Sequence, residues 1–319
     1  MNIAQSHNLA FQKTIIGLFT ALFFVSIAGC KINLGSDGGG TNNSTPYTKV
    51  DTQTIGETTY DIVTFGTFPQ SKKTDDTISV DETDSKTVGS FTYYKGSDGE
   101  WYAKRWSKYY KVEPIKWRVL TANYDHDGNA STPGKKLLLA ENILIYKAYH
   151  ESWANYENSS IRAYLTGDFL TTAFTQAEQD AIAATTVINN ARSTNPDGDS
   201  NATLWDNGVN WNASDTPISD KIFLLSEQEV TKADYGFAAY NEYKGDGAHD
   251  DSTRIRLTTD FASGAGYATT TGYGDDWWLR SPYCDDSACA HYVDYAGGAW
   301  DIYCVYYDWV GVVPALCLN

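Results

Sequence analysis

Four of the five cysteines, Cys284, Cys289, Cys304 and Cys317, lie in the last eighth of the 319-residue chain. A disulfide framework staples distant parts of a fold together, and cysteines confined to one tail are a poor match for that task. The body therefore has to be held by a hydrophobic core. Ten Trp, twenty-three Tyr and an aromatic content of 14% supply the material for one. The net charge of −16 excludes the basic face that nucleic-acid phosphates require, so no nucleic-acid partner is expected.

The N-terminus sets a second limit. Lys13 precedes the apolar run "TIIGLFTALFFVSIAGC". From Ile15 to Gly29 the run falls short of the roughly 20 apolar residues a membrane span needs. Its order of charged, apolar and small residues is that of a secretion signal. The end of the run, Ile27-Ala28-Gly29-Cys30, resembles the lipobox of bacterial lipoproteins. That resemblance implies removal of residues 1–29 and attachment of palmitate-type acyl chains to Cys30, at its thiol and new amino group. Residues 30–50, containing "KINLGSDGGGTNNSTP", hold too few apolar groups to repay their ordering entropy and read as a flexible tether. Residues 51–319 are then a folded domain, anchored to a bilayer without spanning it.

In the body, strand-like runs dominate: "TTYDIVTFGTF", "PIKWRVLTA", "KKLLLAEN" and "DKIFLLSE", each short and rich in apolar residues. Two helical patches interrupt them. Ile161, Leu165 and Phe169 recur at helical spacing. Thr175 and Glu178 form a capping-box signature, which Ser226 and Glu229 repeat after the "IFLL" run. Polar insertions occupy 74–86, 125–134, 189–215 and 241–252. Strands and helices mix without a regular βαβ order, so the fold class is α+β, with short strands, at least two helices and much irregular chain.

The segments "VTFGTFPQ", "EPIKWRVL", "KLLLAENIL", "SSIRAYL", "DKIFLLSEQEV", "WWLRSP" and "GVVPAL" follow in that order from about Tyr60 to Leu318. Together they resemble a bacterial family with a C-type-lectin-like fold of the formylglycine-generating-enzyme subtype. With the lipobox and the tail, the chain is similar to the variable lipoproteins of Treponema diversity-generating retroelements. In those systems adenine-directed mutagenesis rewrites a C-terminal cassette. The stretch from Tyr283 to Trp309 contains no Lys, Arg or Glu, and it is dense in Tyr, Asp and Cys. Rewriting the adenines of an AAY codon reaches Tyr, Cys, Asp and His, but not Glu, Lys, Gln, Met or Trp. From Tyr283 to Asp308 every residue except Trp300 lies in the reachable set.

The resemblance thus makes 283–308 a variable region that binds ligand. Its expected contact positions are Tyr283, Cys284, Asp285, Asp286, Cys289, His291, Tyr292, Asp294, Tyr295, Asp301, Tyr303, Cys304, Tyr306, Tyr307 and Asp308. Val293, Gly297, Trp300, Val305 and Gly311 read as scaffold between them. Trp277, Trp278 and Leu279 read as core, Arg280 as a buried anchoring cation, and Cys317 as a small apolar residue. The implied protein is a non-enzymatic, monomeric, receptor- or adhesin-like lipoprotein exposed on the outer membrane. Its partner would be a protein or glycan on another cell, with no cofactor and no metal.

Two other functions stay open on the residues. Cys284-x4-Cys289 has the spacing of the copper-binding thiols of formylglycine-generating oxidases, although Asp285 and Asp286 would disfavour a thiolate there. A calcium-dependent lectin would need a cation loop. The candidates are Asn123, Asp125, Asp127 and Gly128, which lack the closing Glu of an EF-hand, and the polar turn around Asp197 and Asp199. If Cys30 carries the anchor, Cys30→Ser leaves the protein unprocessed or soluble and abolishes labelling by radioactive fatty acid; undiminished labelling refutes the assignment.

Overall fold

Tyr60, Ile62, Val63, Phe65 and Phe68 are buried along the strand Thr58–Lys72, while Asp61 and Thr67 between them are exposed. That half-buried pattern suits a sheet with one solvated face. The fold is described by a computed structural model covering residues 46–124, 134–152, 155–189, 214–238, 251–264, 274–282, 288–299 and 302–319. In it Thr58–Lys72 pairs antiparallel with Lys108–Tyr124, a strand of 17 residues. The register slips between Thr64 and Thr67, where Gly66 has φ +68°. A Cβ at Gly66 would come within 2.5 Å of the Phe174 ring, so only glycine lets the bulge seat against that ring.

These two strands belong to a nine-stranded sheet. Its main path runs Ile222–Phe223, Ala315–Leu318, Lys135–Ala140, Lys108–Tyr124, Trp101–Arg105, Phe91–Gly96 and Val80–Val88. Thr48–Ile55 flanks Thr58–Lys72 on the side branch. Ala315–Leu318 is buried at all four residues and is sandwiched between two neighbours, which its unbroken apolar sequence requires. Cys317 behaves there as a small hydrophobe; burial pushes its thiol up to about 12.

The helix Ser160–Tyr164 starts at the Ser159 cap, whose hydroxyl accepts the Arg162 N–H. It passes through a π-helical turn, Leu165–Phe169, into Leu170–Ala173. Ile161, Leu165 and Phe169 are all buried, as their spacing predicts. Both capping boxes form, at Thr175/Glu178 and Ser226/Glu229. Among the described residues no helix is long and apolar enough to cross a membrane.

A second, five-stranded sheet carries the C-terminal region in the order Ile302–Cys304, Cys289–Val293, Trp277–Pro282, Gly311–Val312 and Ile145–Tyr146. Mixed sheets with few helices make the protein α+β. Two expectations differ in detail. The segment 74–86 reads as a polar insertion, yet Val80–Val88 is a strand. The tether expected over 30–50 is ordered from Thr48, where the first strand begins. Both strands are almost wholly exposed, so backbone pairing holds them, and hydrophobic periodicity has nothing to report.

The two sheets meet at Arg280. Its Nη1 donates to Glu229 Oε2 at 2.5 Å and to Leu224 O at 2.7 Å, and its Nη2 to Glu229 Oε1 at 3.1 Å. The Tyr124 hydroxyl donates to the same carboxylate at 2.6 Å. Burial alone would raise the Glu229 carboxyl. The Arg280 charge and the hydrogen bonds from Arg280, Tyr124 and the Ser226 N–H outweigh it, holding the carboxyl below its usual value. A depressed acid contributes stability above its unfolded pKa and loses it as pH falls through the folded one. Arg280→Met, which leaves the carboxylate buried and alone, should therefore cost about 3–5 kcal/mol at pH 7. The deficit should shrink in melts below pH 4.5, the ordinary value of the group; a pH-independent deficit would show that packing rather than charge dominates.

Candidate functional site

The site is built outward from the strand Trp277–Pro282. Trp277, Trp278 and Leu279 are fully buried. The indoles are also tethered, Trp278 Nε1 to Lys147 O at 2.9 Å and Trp277 Nε1 to Arg254 O at 3.2 Å. This strand supports the hairpin of Cys289–Val293 and Ile302–Cys304, in which Cys289 opposes Cys304, Ala290 opposes Tyr303 and His291 opposes Ile302.

Alternation sorts the hairpin residues onto two faces. Cys289, His291, Val293 and Cys304 share one. His291 is buried there, with Nδ1 3.7 Å from Glu227 Oε2. That distance would suit an ion pair, but burial pushes the imidazole down to about 4 and the Glu227 carboxyl well up, so burial disfavours the charged form of both groups. The other face carries Ala290, Tyr292 and Tyr303. The rings of Tyr292 and Tyr303 stack at 3.9 Å and 7°.

From Tyr303 the aromatic surface continues outward. Tyr307 lies edge-on to Tyr303 at 5.7 Å and stacks on Trp309 at 3.9 Å. Tyr306 sits edge-on to Tyr307 at 5.0 Å. Tyr306 is 52% exposed and Trp309 40%. Hydrogen bonding to the Cys304 sulfur pushes the Tyr306 phenol up to about 12. An acidic margin borders this cluster. Asp276 accepts from the Tyr303 hydroxyl at 3.0 Å and from the Tyr295 N–H at 2.9 Å. Asp275 accepts from the Tyr146 hydroxyl at 2.5 Å.

Asp294 has a structural task. Its Oδ1 accepts the N–H groups of Ala296 and Gly298 at 2.8 and 2.9 Å. Those bonds close a turn in which Gly297 has φ +92° and passes so close to the Asp251 backbone that a Cβ would lie 2.1 Å from its oxygen. Arg254 Nη1 holds the same turn through Gly297 O at 3.0 Å. Tyr295 rides on the turn, 68% exposed.

The structure thus divides the expected contact positions. Tyr295, Tyr306 and Asp308 are exposed, and Tyr303, Cys304, Tyr307 and Asp294 are half-buried. Cys289, His291 and Tyr292 are buried, so the expectation that they line an outer surface is corrected. Both faces of their strand are covered, by Glu227 on one side and by the Tyr303 ring on the other. Tyr283, Cys284, Asp285, Asp286, Asp301, Trp300 and Cys30 lie outside the described residues, as do Asp125, Asp127, Gly128, Asp197 and Asp199. Among the described residues no group of His, Cys, Asp and Glu has a metal-holding arrangement.

Sequence reasoning missed Trp309 and Asp276. Trp309 falls one residue beyond the adenine-reachable span, and Asp276 stands just before "WWLRSP". The signal for both was adjacency alone.

The family described as "Domain of unknown function (DUF6273)" matches residues 133–319, which include the whole hairpin and the aromatic cluster. No curated protein and no solved structure matches the chain.

Burial, reinforced by the charges of Asp275 and Asp294, pushes the Asp276 carboxyl up from 3.8 to about 6, against the hydrogen bonds from Tyr303 and Tyr295. A raised acid contributes stability below its unfolded pKa and loses it as pH rises through the folded value. Asp276→Asn does not titrate, so between pH 4 and 8 its stability relative to the parent should rise, by about 1–2 kcal/mol once solvent screening of this half-buried carboxyl is counted. Denaturant melts at both pH values check this; parallel pH profiles would place the Asp276 carboxylate in bulk-like solvent.

Proposed function

The chain belongs to the DUF6273 family, whose description assigns no activity, and we propose that it is a membrane-tethered binding protein. Its contact surface is centred on Tyr303, Tyr306, Tyr307 and Trp309. The observation that carries this reading is the exposed aromatic cluster at the edge of the five-stranded sheet, in which each ring is braced by another. Braced Tyr and Trp rings offer large contact area at low conformational cost, which is how antibody loops use them. The acidic margin of Asp276 and Asp308 adds acceptors around an apolar centre.

The finer features rest on the resemblance drawn from the sequence. The fold is C-type-lectin-like, of the formylglycine-generating-enzyme subtype. The lipid on Cys30 holds the domain at the outer-membrane surface, and the 283–308 region is diversified by a retroelement. The protein is monomeric, uses no cofactor, catalyses no reaction and binds a protein or glycan on another cell.

Sequencing the same locus in sister isolates tests the proposal. Substitutions should gather at Tyr295, Tyr306, Tyr307 and Asp308, and spare Val293, Gly297 and Val305. A segment identical in all isolates would overturn the diversified surface. Screening the protein on a printed glycan array and on intact cells gives the direct readout. Tyr306→Ala with Trp309→Ala should weaken whatever binding is found at least tenfold, about 1.4 kcal/mol, with a cooperative melt only slightly lowered by the lost ring stacking; equal binding would move the contact surface elsewhere.

A further inference from the structure

Cys289 and Cys304 stand directly opposite each other on the hairpin. The Cys289 thiol donates to Cys304 Sγ at 3.9 Å. The ladder gives their pairing class. Val305 N–H donates to Ala288 O at 2.7 Å, which makes 288 and 305 a hydrogen-bonded pair. By alternation 289 and 304 form a non-hydrogen-bonded pair, the class in which the Cα atoms approach to about 4.5 Å and side chains lie closest. That separation falls within the window a disulfide spans without backbone movement, about 4.4–6.8 Å between Cα atoms.

We propose that Cys289 and Cys304 are the site of a cross-strand disulfide that clamps the hairpin beneath the aromatic surface. The oxidant is a disulfide, either a small-molecule one or that of a thiol–disulfide oxidoreductase. Cys304, the more exposed of the two, loses its proton to solvent and attacks one sulfur of the oxidant, expelling one thiolate. Cys289 then loses its proton, attacks Cys304 Sγ in the mixed disulfide and expels the second thiolate. The protein gives up two protons and two electrons, and the oxidant becomes two thiols. The bridge ties the strand bearing Tyr292 to the strand bearing Tyr303, whose stacked rings lie on the opposite face of the same hairpin. Cys317 takes no part: it is fully buried in the other sheet. The inference rests on strand register and does not depend on the proposed function.

The sequence makes the bridge easy to map. Cleavage before Asp places the tail cysteines on separate fragments: 276–284 with Cys284, 286–293 with Cys289, 301–307 with Cys304 and 308–319 with Cys317. The full chain is purified under reducing conditions, exposed to glutathione disulfide, alkylated, cleaved and weighed. The expected species is 286–293 joined to 301–307, two hydrogens lighter than the sum and separable by reductant. Closing a loop of this size should raise the melting temperature of the oxidised protein by about 5 °C over the reduced form. Cys289→Ser and Cys304→Ser should each remove both the linked species and the rise. Alkyl label on both cysteines after oxidation, or Cys289 joined to the fragment bearing Cys284 or Cys317, overturns the proposal. So does a rise in melting temperature that survives in the serine variants.

Discussion

The pairing of Arg280 with Glu229 is the contact on which the rest of the structure hangs. Arg280 comes from the central strand of the five-stranded sheet. Its guanidinium reaches a carboxylate on the Glu227–Val230 helix and the carbonyl of Leu224, just past the edge strand of the nine-stranded sheet. Tyr124, from the longest strand of that sheet, completes the shell. The backbone follows the same route, since Arg280 N–H donates to Leu225 O at 2.9 Å and Tyr149 donates to Arg280 O at 3.1 Å. Removing two charges from water is expensive, and the cost is met only when every polar atom finds a partner. Here the capping box does double duty: Glu229 accepts the Ser226 N–H as a helix cap and the Arg280 fork as a counter-ion.

Because that node fixes the Trp277–Pro282 strand, the hairpin beside it inherits a rigid base. The two indoles are locked by backbone carbonyls on either side, and the Asp294 turn is held by Arg254. What remains for the outer end of the sheet is a set of rings that pack on one another, with Tyr303 and Tyr307 resting against the core as well. Tyr303, Tyr307 and Trp309 form such a set, with Tyr306 at its edge. Order without full burial is the physical requirement for a contact surface that binds without first being ordered.

Much of this scaffold was legible in the sequence. The "WWLR" run identified buried indoles and a buried cation, the two capping boxes formed where their spacing put them, and the Ile161, Leu165 and Phe169 stripe faced the core. What could not be read were strands without a burial pattern. Val80–Val88 exposes nearly every side chain and is held by its ladder to Phe91–Gly96. The partner of Arg280 was equally hidden, because a Glu in a capping box already has a local explanation and nothing nearby announces a second role. The site was misread where both faces of one strand are covered. The resemblance placed Cys289, His291 and Tyr292 among the expected contact positions, but burial depends on neighbours 64 residues away in the chain as well as on the strand itself, as His291 with Glu227 illustrates.

Burial on both faces limits what a diversified hairpin of this kind could be. Strand alternation divides any such segment into positions that meet solvent and positions that meet the scaffold, whatever rewrites the codons. At Tyr306 or Tyr295 a new side chain changes only what a ligand meets. At His291 it must also fit against the buried Glu227, and at Tyr292 it must replace a stacked ring. A carboxylate at either place would be desolvated without a partner, a cost of several kcal/mol that is a large share of ordinary domain stability. Under the proposed diversification the usable repertoire would therefore be smaller than the codon arithmetic allows, with the fold acting as a filter that follows mutation. Variety would then be concentrated at the aromatic rim, where the side chains can change without touching the Arg280 node that keeps the rim in place.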